Sequence, residues 1–446
     1  CLGKAMTKLS PENLAELDQQ FAQARQLHMS GQQQQASEIY QRILAADPEH
    51  ADALHLTGVL CLQRRQYSGA IELIEQAIAI RPSQANYRSN LGNALRDSGQ
   101  FQAALKSYGE ALAIDPGFID AEQNMGKAYL DGGEPQTARA CFERALAINP
   151  DFAPSLGGLA TVLQQLDEPD RALEAYRRAV ELDPGRAEYR TNMAAILVQQ
   201  GAAQEALEQC DRCLAAGQQT MRALAIKSIA LAELGRGDEG RALMDLNGLL
   251  QTAMVETPGP YDSTAAFNRD LAEHITAHPS LMRAPPDHAT RFGWHTGELA
   301  NDDHPAIHAL KAILTHGVER RLATAPPDTN HPFWAAKPSR FKLNIWSVIM
   351  ESQGHQISHI HPSAWMGGVY YPELPPEIAA PGGQQAGWIE FGRGYDNFYN
   401  HSEPVTRAIK PVEGLLVTFP SYFWHRTIPF QSEQRRISVA FDAVPA

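Results

Sequence analysis

The chain has 446 residues, of which 43% are hydrophobic and 20% charged, enough for two or three globular domains. Its net charge of −13, without a basic stripe, argues against nucleic acid or an anionic membrane surface as a partner. We expect no membrane span, because no run of 18 apolar residues occurs. The five scattered cysteines favour a reducing, cytoplasmic location over a disulfide framework.

Residue types change sharply near residue 250. All five Cys precede it, whereas all six Trp and thirteen of the sixteen His follow it. A shift of this size predicts a domain boundary and places histidine-based chemistry in the second part. We therefore expect one domain over residues 10–250 and another over residues 251–446.

The first domain carries a repeat of 34 residues. Prolines, alanines, glycines and aromatic residues recur at this period. They are Pro48, Pro82, Pro116, Pro150 and Pro184; Ala36, Ala70, Ala104, Ala138, Ala172 and Ala206; Gly58, Gly92 and Gly126; and Tyr40, Tyr108, Phe142 and Tyr176. This period predicts stacked helix pairs. Small residues let the two helices of a repeat approach, an aromatic fills the gap to the next repeat, and proline stops the second helix.

The pattern resembles the tetratricopeptide repeat (TPR) family. Residues 87–113, YRSNLGNALRDSGQFQAALKSYGEALA, are similar to its consensus. The resemblance covers about residues 10–250 and implies an all-α superhelix of six or seven repeats that binds a protein or peptide. The last repeats lose part of the pattern, as expected where a stack must be capped.

Three asparagines, Asn90, Asn124 and Asn192, share one position on the first helix of their repeats. In TPR proteins this position resembles one on the concave surface, where carboxamides can bind an extended peptide backbone. The alternative is that asparagine is simply common here and makes a local bond. The acidic balance of residues 1–250, with 23 Lys and Arg against 32 Asp and Glu, favours a partner with basic segments.

The 34-residue period ends at Pro258. Helical patterns follow at residues 265–275 and 304–323, and then short β-type runs separated by Gly and Pro. We expect strands within residues 341–350, 367–374, 387–391, 414–420 and 436–444. They predict a jelly-roll barrel, or double-stranded β-helix, over residues 336–446 after a helical part over residues 251–335. The predicted class is thus an α+β multidomain chain.

Histidines flank two of the predicted strands. His359 and His361 precede one strand, and alternate strand residues face the same side, so both can point into the barrel. His425, after another strand, can complete one face of a metal site that leaves other positions open. Arg435 and Arg436 open the last strand, and arginine suits a buried carboxylate because it can form two parallel hydrogen bonds.

The strings HIHPSAWMGGVYYPELP, GWIEFG and KPVEGLLVTFPSYFWHRTIPFQSEQRRISVAFD resemble a bacterial and phage family of 2-oxoglutarate/Fe(II) oxygenases often fused to TPRs. The resemblance covers about residues 260–446 and implies a dioxygenase that uses Fe(II), 2-oxoglutarate and O2. It implies His359, His361 and His425 as iron ligands.

The same resemblance implies that Arg436 holds the 2-oxoglutarate carboxylate and that Tyr371 adds a hydrogen bond. Related barrels with the arginine one residue closer to the histidine favour Arg435, so both arginines are candidates.

The wider superfamily has Asp or Glu where this chain has His361, and three neutral imidazoles leave the site one negative charge short. We consider three explanations. His361 is a true ligand, or a carboxylate such as Glu373 or Asp396 enters, or a water fills the position.

The expected function is hydroxylation of a protein or peptide side chain presented by the repeats. The alternatives are oxidation of a small metabolite, with the repeats used for assembly, and a non-catalytic TPR scaffold with a metal-binding barrel. Trp365, Trp388 and Trp424 could line a substrate pocket, with core packing expected for at least two of them.

Overall fold

The computed structural model describes residues 11–217, 221–284, 289–326, 331–379 and 385–446. Residue 10, where the repeat domain was predicted to begin, lies outside these ranges. The chain forms two compact units, which divide between Gly185 and Arg186.

Paired helices occupy the chain as far as Leu243. Within the described ranges they are α1 Pro11–Met29, α2 Gln33–Ala46, α3 Ala51–Gln63, α4 Tyr67–Ile80, α5 Ala85–Asp97, α6 Phe101–Ile114, α7 Ile119–Asp131, α8 Pro135–Ile148, α9 Ala153–Gln165, α10 Pro169–Leu182, α11 Ala187–Gln199, α12 Ala203–Ala215, α13 Met221–Glu233 and α14 Gly237–Leu243. Helices α1–α10 belong to the first unit and α11–α14 to the second. Across the described chain, no helix combines the length and apolar character that crossing a membrane would require.

The periodic glycines make room for the periodic aromatics. The Phe142 ring lies between Gly126 of its own repeat and Gly158 of the next. A Cβ built on either glycine would come within 2.7 Å or 2.6 Å of that ring. Such distances are shorter than close packing permits, so a side chain at either position would push the helices apart. The predicted roles of the small and aromatic residues are thus confirmed at this repeat.

The second unit adds four helices and ten strands within the described residues. The helices are α15 Thr264–Thr276, α16 Pro305–Ala323, α17 Pro332–Ala335 and α18 Pro376–Ala379. The strands are β1 Gln251–Met254, β2 Met282–Arg283, β3 Thr290–His295, β4 Phe341–Gln356, β5 Met366–Glu373, β6 Ile389–Phe391, β7 Arg407–Ile409, β8 Leu415–Pro420, β9 His425–Thr427 and β10 Arg436–Pro445. With the helical repeats, these strands confirm the predicted α+β class.

The strands form two antiparallel sheets. The larger has the order β1-β8-β5-β10-β4-β3-β2, and the smaller has the order β7-β6-β9. Each predicted strand overlaps an observed one. Strands β1, β2 and β3 fall in residues 251–335, which the sequence predicted to be helical, and β1 pairs with β8 while β3 pairs with β4. Strand β1 is mostly exposed at a sheet edge, so it lacks the apolar alternation that reveals a half-buried strand.

The last repeat helices pack against the strand-bearing part of the second unit. Trp424 Nε1 donates a hydrogen bond of 3.2 Å to the Ala225 carbonyl on α13. At the end of the same helix, the Glu233 carboxylate accepts backbone N–H bonds of 3.0 Å from residues 400–402. These bonds join α13 to the strand-bearing part, so the compact unit includes repeat helices although composition changes near residue 250.

Candidate metal centre

His359, His361 and His425, the histidine triad, meet where the two sheets come together. A β-bridge joins the first and last of them: His359 N donates to His425 O at 3.0 Å, and His425 N donates to His359 O at 3.1 Å. One ring nitrogen of each histidine lies within 4.8 Å of the others. The structure therefore brings together the three residues that the sequence nominated as metal ligands.

Backbone carbonyls orient two rings of the triad. His359 Nδ1 lies 2.9 Å from the Ile357 carbonyl oxygen, and His425 Nδ1 lies 2.9 Å from that of Phe423. A carbonyl oxygen only accepts hydrogen bonds, so Nδ1 carries the proton in both rings. Each Nε2 therefore keeps its lone pair, which is the arrangement a metal-binding imidazole requires.

Burial keeps these two rings uncharged. It is the largest cause, ahead of the neighbouring His361 ring, that lowers the pKa of His359 to about 3. Burial and the other two triad rings hold the pKa of His425 well below its ordinary value. Both side chains are thus neutral at physiological pH, and protons compete little with a metal for them.

The third ring, His361, is oriented by a carboxylate instead. Its Nδ1 lies 2.5 Å from Asp442 Oδ1, and both side chains are mostly buried. A carboxylate behind a metal-binding histidine fixes its tautomer and makes it a stronger donor. Asp442 therefore places a carboxylate next to the triad, on the Nδ1 side of His361. The sequence did not reveal this role.

The two carboxylates considered from the sequence lie elsewhere. Glu373 pairs with Arg435 at 2.7 Å, and both side chains are substantially exposed. Asp396 is 91% exposed and sits near Arg393. Neither belongs to the cluster of potential ligand atoms formed by the triad.

Strand β10 separates the two candidate arginines. Arg436 is fully buried and lines a narrow cavity that also contains the triad and Tyr371, whereas Arg435 faces outward to Glu373. Consecutive strand residues face opposite sides, which accounts for this difference. Ser438 continues the inward face, and its Oγ accepts a hydrogen bond of 3.2 Å from Arg436 Nη1.

Arg436 and Tyr371 have unused hydrogen-bonding capacity. The guanidinium carbon lies 5.1 Å from the centre of the Tyr371 ring. Both Arg436 Nε and the Tyr371 hydroxyl are buried, and neither makes a hydrogen bond of good geometry within the described residues, although the two side chains interact with each other. Burial lowers the pKa of Arg436, an effect that the nearby phenol opposes. A buried cation with a free N–H beside a free hydroxyl is suited to an anionic ligand.

Two families match the chain. Residues 27–92, 95–163 and 132–196 match the model described as "Tetratricopeptide repeat", and residues 344–442 match the one described as "Putative 2OG-Fe(II) oxygenase". The chain therefore carries tetratricopeptide repeats within residues 27–196 and, over residues 344–442, a region that matches this oxygenase family. Both predicted resemblances are thereby confirmed.

Several solved structures resemble part of this chain. PilW, a widely conserved type IV pilus biogenesis factor, is 20% identical with a TM-score of 0.43, and the match covers 47% of this chain and 97% of PilW. PilF of Pseudomonas aeruginosa is 22% identical with a TM-score of 0.41, covering 44% and 90%. A thermophilic TPR protein of Thermus thermophilus is 23% identical with a TM-score of 0.37, covering 41% and 98%. No curated protein matches the chain.

The residues of the oxygenase domain fit the ions and co-substrate that its family implies. The triad offers three imidazole nitrogens that lie within 4.8 Å of one another, a donor set suited to Fe(II). The orphaned polar atoms of Arg436 and Tyr371 suit the distal carboxylate of 2-oxoglutarate. The same cavity holds both groups.

The predicted substrate contact Trp365 lies in the protein core. Its ring stacks on Phe333 with centroids 4.6 Å apart, and its Nε1 donates to the Phe333 carbonyl at 2.8 Å. This placement favours the packing role that the sequence left open. Trp346 instead lines the triad cavity, with its ring centre 5.6 Å from that of His361. From the sequence, Trp346 could have been placed in the cavity only by the alternation of inward and outward residues along β4.

The three asparagines lie on first helices, as predicted, but in different units. Asn90 and Asn124 are half-buried on α5 and α7 of the first unit, and Asn192 is on α11 of the second. Asn90 Nδ2 lies 2.9 Å from His55 Nε2, and Asn93 Nδ2 donates to Asn90 Oδ1 at 3.3 Å. The Asn90 carboxamide is thus engaged by neighbouring side chains, which favours the alternative interpretation that asparagine at this position makes a local bond.

Proposed function

We propose that the chain is an Fe(II)- and 2-oxoglutarate-dependent dioxygenase that hydroxylates a side chain in a protein or peptide. The observation that carries this proposal is the histidine triad. Its Nδ1 atoms are all engaged by protein acceptors, and its second nitrogens are left for one metal ion. The membership of residues 344–442 in an oxygenase family supports the same chemistry.

His359, His361 and His425 hold the iron in this proposal. With 2-oxoglutarate and O2, the bound ion supplies the oxidising chemistry, and the protein supplies binding and orientation. Arg436 binds the distal carboxylate of 2-oxoglutarate, and the Tyr371 hydroxyl donates a further hydrogen bond to it. Arg435 stays outside the cavity and takes no part.

We propose that Asp442 supplies the negative charge that the usual acidic ligand would bring. We assign it as a positioning residue that holds the His361 ring through Nδ1 and contributes a negative charge behind it. His361 is then a true ligand, and neither Glu373 nor Asp396 needs to move.

The strand order supports the jelly-roll topology. With the bridge at His359 counted as a short strand beside β9, the chain from β4 onward alternates between the larger and smaller sheets, except that β6 and β7 follow each other within the smaller one. Strands β4, β10, β5 and β8 lie in the larger sheet, and the His359 bridge, β9, β6 and β7 in the smaller. Eight segments divided in this way form a double-sheet barrel.

We place the substrate among proteins or peptides because TPR arrays generally bind such partners. The acidic balance of residues 1–250 favours a basic segment near the target site. Four free cysteines among the described residues, three of them buried, suit a cytoplasmic reaction. A small-molecule substrate is the competing possibility, and the experiment below separates the two.

The first test measures succinate formed from 2-oxoglutarate by the full-length protein with Fe(II). We expect turnover to depend on Fe(II) and to disappear in His425→Ala, while the Arg435→Ala control stays active. Stimulation by fractionated cellular proteins supports a protein substrate, and stimulation only by the low-molecular-mass fraction supports a metabolite. Absence of turnover with every fraction, despite bound iron, would contradict the enzymatic proposal.

The role of the repeats needs a second comparison. Once a substrate is known, turnover is measured on the whole protein and on a short peptide with the same target site. If the asparagines bind substrate, the triple variant Asn90→Ala, Asn124→Ala and Asn192→Ala loses activity on the long substrate alone. Unchanged long-substrate kinetics would assign the repeats to assembly.

A further inference from the structure

A second group of potential metal ligands lies outside the triad cavity. It consists of His274, His278 and Asp302, called here the second cluster, and its ligand atoms all lie within 4.8 Å of one another. His274 is in the last turn of α15, and His278 follows just after the helix ends. Four residues apart, the two rings lie on one side of that helix end.

Both rings converge on the same carboxylate oxygen. His274 Nε2 is 2.9 Å and His278 Nε2 is 3.0 Å from Asp302 Oδ2. The three side chains are between 13% and 20% exposed, so they are largely buried but still within reach of an ion from solvent. Two imidazoles and one carboxylate are a donor set for divalent first-row transition ions.

Neighbouring groups hold these rings in place. Ser280 Oγ lies 2.6 Å from His278 Nδ1 and also accepts the Gly297 N–H at 2.7 Å. The His304 ring stacks on His274 with centroids 4.2 Å apart. His304 is itself fixed, because its Nδ1 accepts the Ala306 N–H at the start of α16. The Ser280 backbone N–H also donates to His278 Nδ1 at 3.2 Å, and together these contacts fix the positions of both rings.

We propose that the second cluster binds one divalent transition ion of the Zn²⁺ class, with water completing the coordination. At metal–ligand distances of about 2.0–2.1 Å, tetrahedral ligand atoms are roughly 3.3 Å apart. The nitrogens now 2.9 and 3.0 Å from the carboxylate oxygen must therefore separate from it by only a few tenths of an ångström. For a metal to bind, each Nε2 gives up the proton that it otherwise donates to Asp302. A neutral ring then carries its one proton on Nδ1, which in His278 faces Ser280 Oγ as an acceptor.

The ion would link two segments that support the cavity wall. Helix α15 contacts β5 through the hydrogen bond from the Tyr370 hydroxyl to Asn268 Oδ1, 2.5 Å long. The segment leading to Asp302 is joined to β4, because Thr296 Oγ1 accepts the Ser347 N–H at 2.9 Å. The proposed site is thus a structural clip between two strands of the larger sheet.

Calorimetric titration of the metal-stripped full-length protein with Zn²⁺ tests the proposal. We expect Asp302→Asn and His278→Ala each to bind one Zn²⁺ fewer than wild type, or to bind it at least ~100-fold more weakly, since even outer contacts to a metal ligand contribute ~10–100-fold. His308→Ala is the matched control, because this histidine is exposed and lies near Asp303 rather than Asp302. Asparagine is nearly isosteric with aspartate and can still accept both ring N–H bonds, so the fold should persist.

A variant of the triad gives an independent measurement. His425→Ala leaves the second cluster intact, so it should still bind one Zn²⁺, and zinc should still raise its melting temperature. Loss of all zinc binding in His425→Ala would overturn the proposal. Wild-type stoichiometry and affinity in both Asp302→Asn and His278→Ala would also overturn it. If the triad did not bind metal, the binding event lost would be the one that depends on His425 and not the one that depends on Asp302 and His278. The two hypotheses are therefore distinguishable.

Discussion

Replacement of Arg436 by methionine tests the co-substrate site most directly. Methionine fills a similar volume but cannot form the two charge-assisted hydrogen bonds expected for a carboxylate. Each such bond contributes about 1.5–3 kcal/mol, and imperfect geometry reduces the pair to about 2–4 kcal/mol in total. At 1.36 kcal/mol per factor of ten, the KM for 2-oxoglutarate should rise roughly 30- to 1,000-fold.

Arg435→Ala is the matched control. Its ion pair with Glu373 is exposed, and such pairs contribute about 0–1 kcal/mol, so the KM should change less than ~5-fold. Succinate formation is measured against 2-oxoglutarate concentration at saturating Fe(II), together with the melting temperature of each variant. Arg436→Met should fold, because replacing a buried charged side chain with an apolar one of similar volume is often neutral.

The proposed site therefore predicts a large change in the KM for 2-oxoglutarate from substitution of Arg436 and a small one from substitution of its neighbour Arg435. A large rise in KM confined to Arg436→Met supports a carboxylate clamp. Equal and small effects from both substitutions would refute the clamp, and a large effect confined to Arg435→Ala would move it to the outer face of β10.

Four further predictions follow from the geometry. His425→Ala should abolish stoichiometric Fe(II) binding, measured by metal analysis after gel filtration. Asp442→Asn should weaken Fe(II) binding ~10–100-fold while the triad remains, and unchanged affinity would exclude the positioning role. Burial lowers the pKa of His55 from 6.5 to about 4, so between these pH values the unfolded state binds a proton that the folded state does not. The free energy of unfolding should therefore fall by up to about 3 kcal/mol as the pH drops from 6.5 to 4. In urea titrations at pH 4 and pH 7, His55→Gln should show a smaller fall than wild type. A fragment of residues 186–446 should fold cooperatively, whereas residues 251–446 should aggregate because helices α11–α14 no longer cover Trp424.

The repeats could be predicted in detail because their packing is local. Each glycine–aromatic contact joins helices close in sequence, so a fixed period records it directly. Phe142, between Gly126 and Gly158, is an example. The boundary of the compact unit could not be predicted in the same way. It depends on contacts such as Trp424 to Ala225, which join residues 199 positions apart and leave no periodic signal.

The clustering of the histidine triad could be predicted because its residue types and spacing are unusual, whereas the contact of Asp442 with His361 could not. The strand of Asp442 was predicted, and its parity with Arg436 places it on the inward face. Its pairing with His361, however, depends on how β10 aligns with β5, where Asp442 lies opposite Gly367. A shift of one residue would turn Asp442 outward. Register of this kind is set by the folded sheet, so one sequence does not reveal it.

Charge balance explains why a carboxylate hydrogen-bonded to a metal-binding histidine, such as Asp442 beside His361, can replace a carboxylate that binds the metal directly. In the proposed site, Fe(II) would bring two positive charges and Arg436 a third, while 2-oxoglutarate would bring two negative charges. In a cavity lined mainly by buried side chains, the remaining positive charge would be costly unless another group neutralised it. Asp442 supplies that negative charge from its position beside His361. It lies farther from the metal position than a carboxylate ligand would. The site is then neutral only when co-substrate is bound, so Asp442→Asn should weaken Fe(II) binding, and an added negative charge at position 361 should partly compensate.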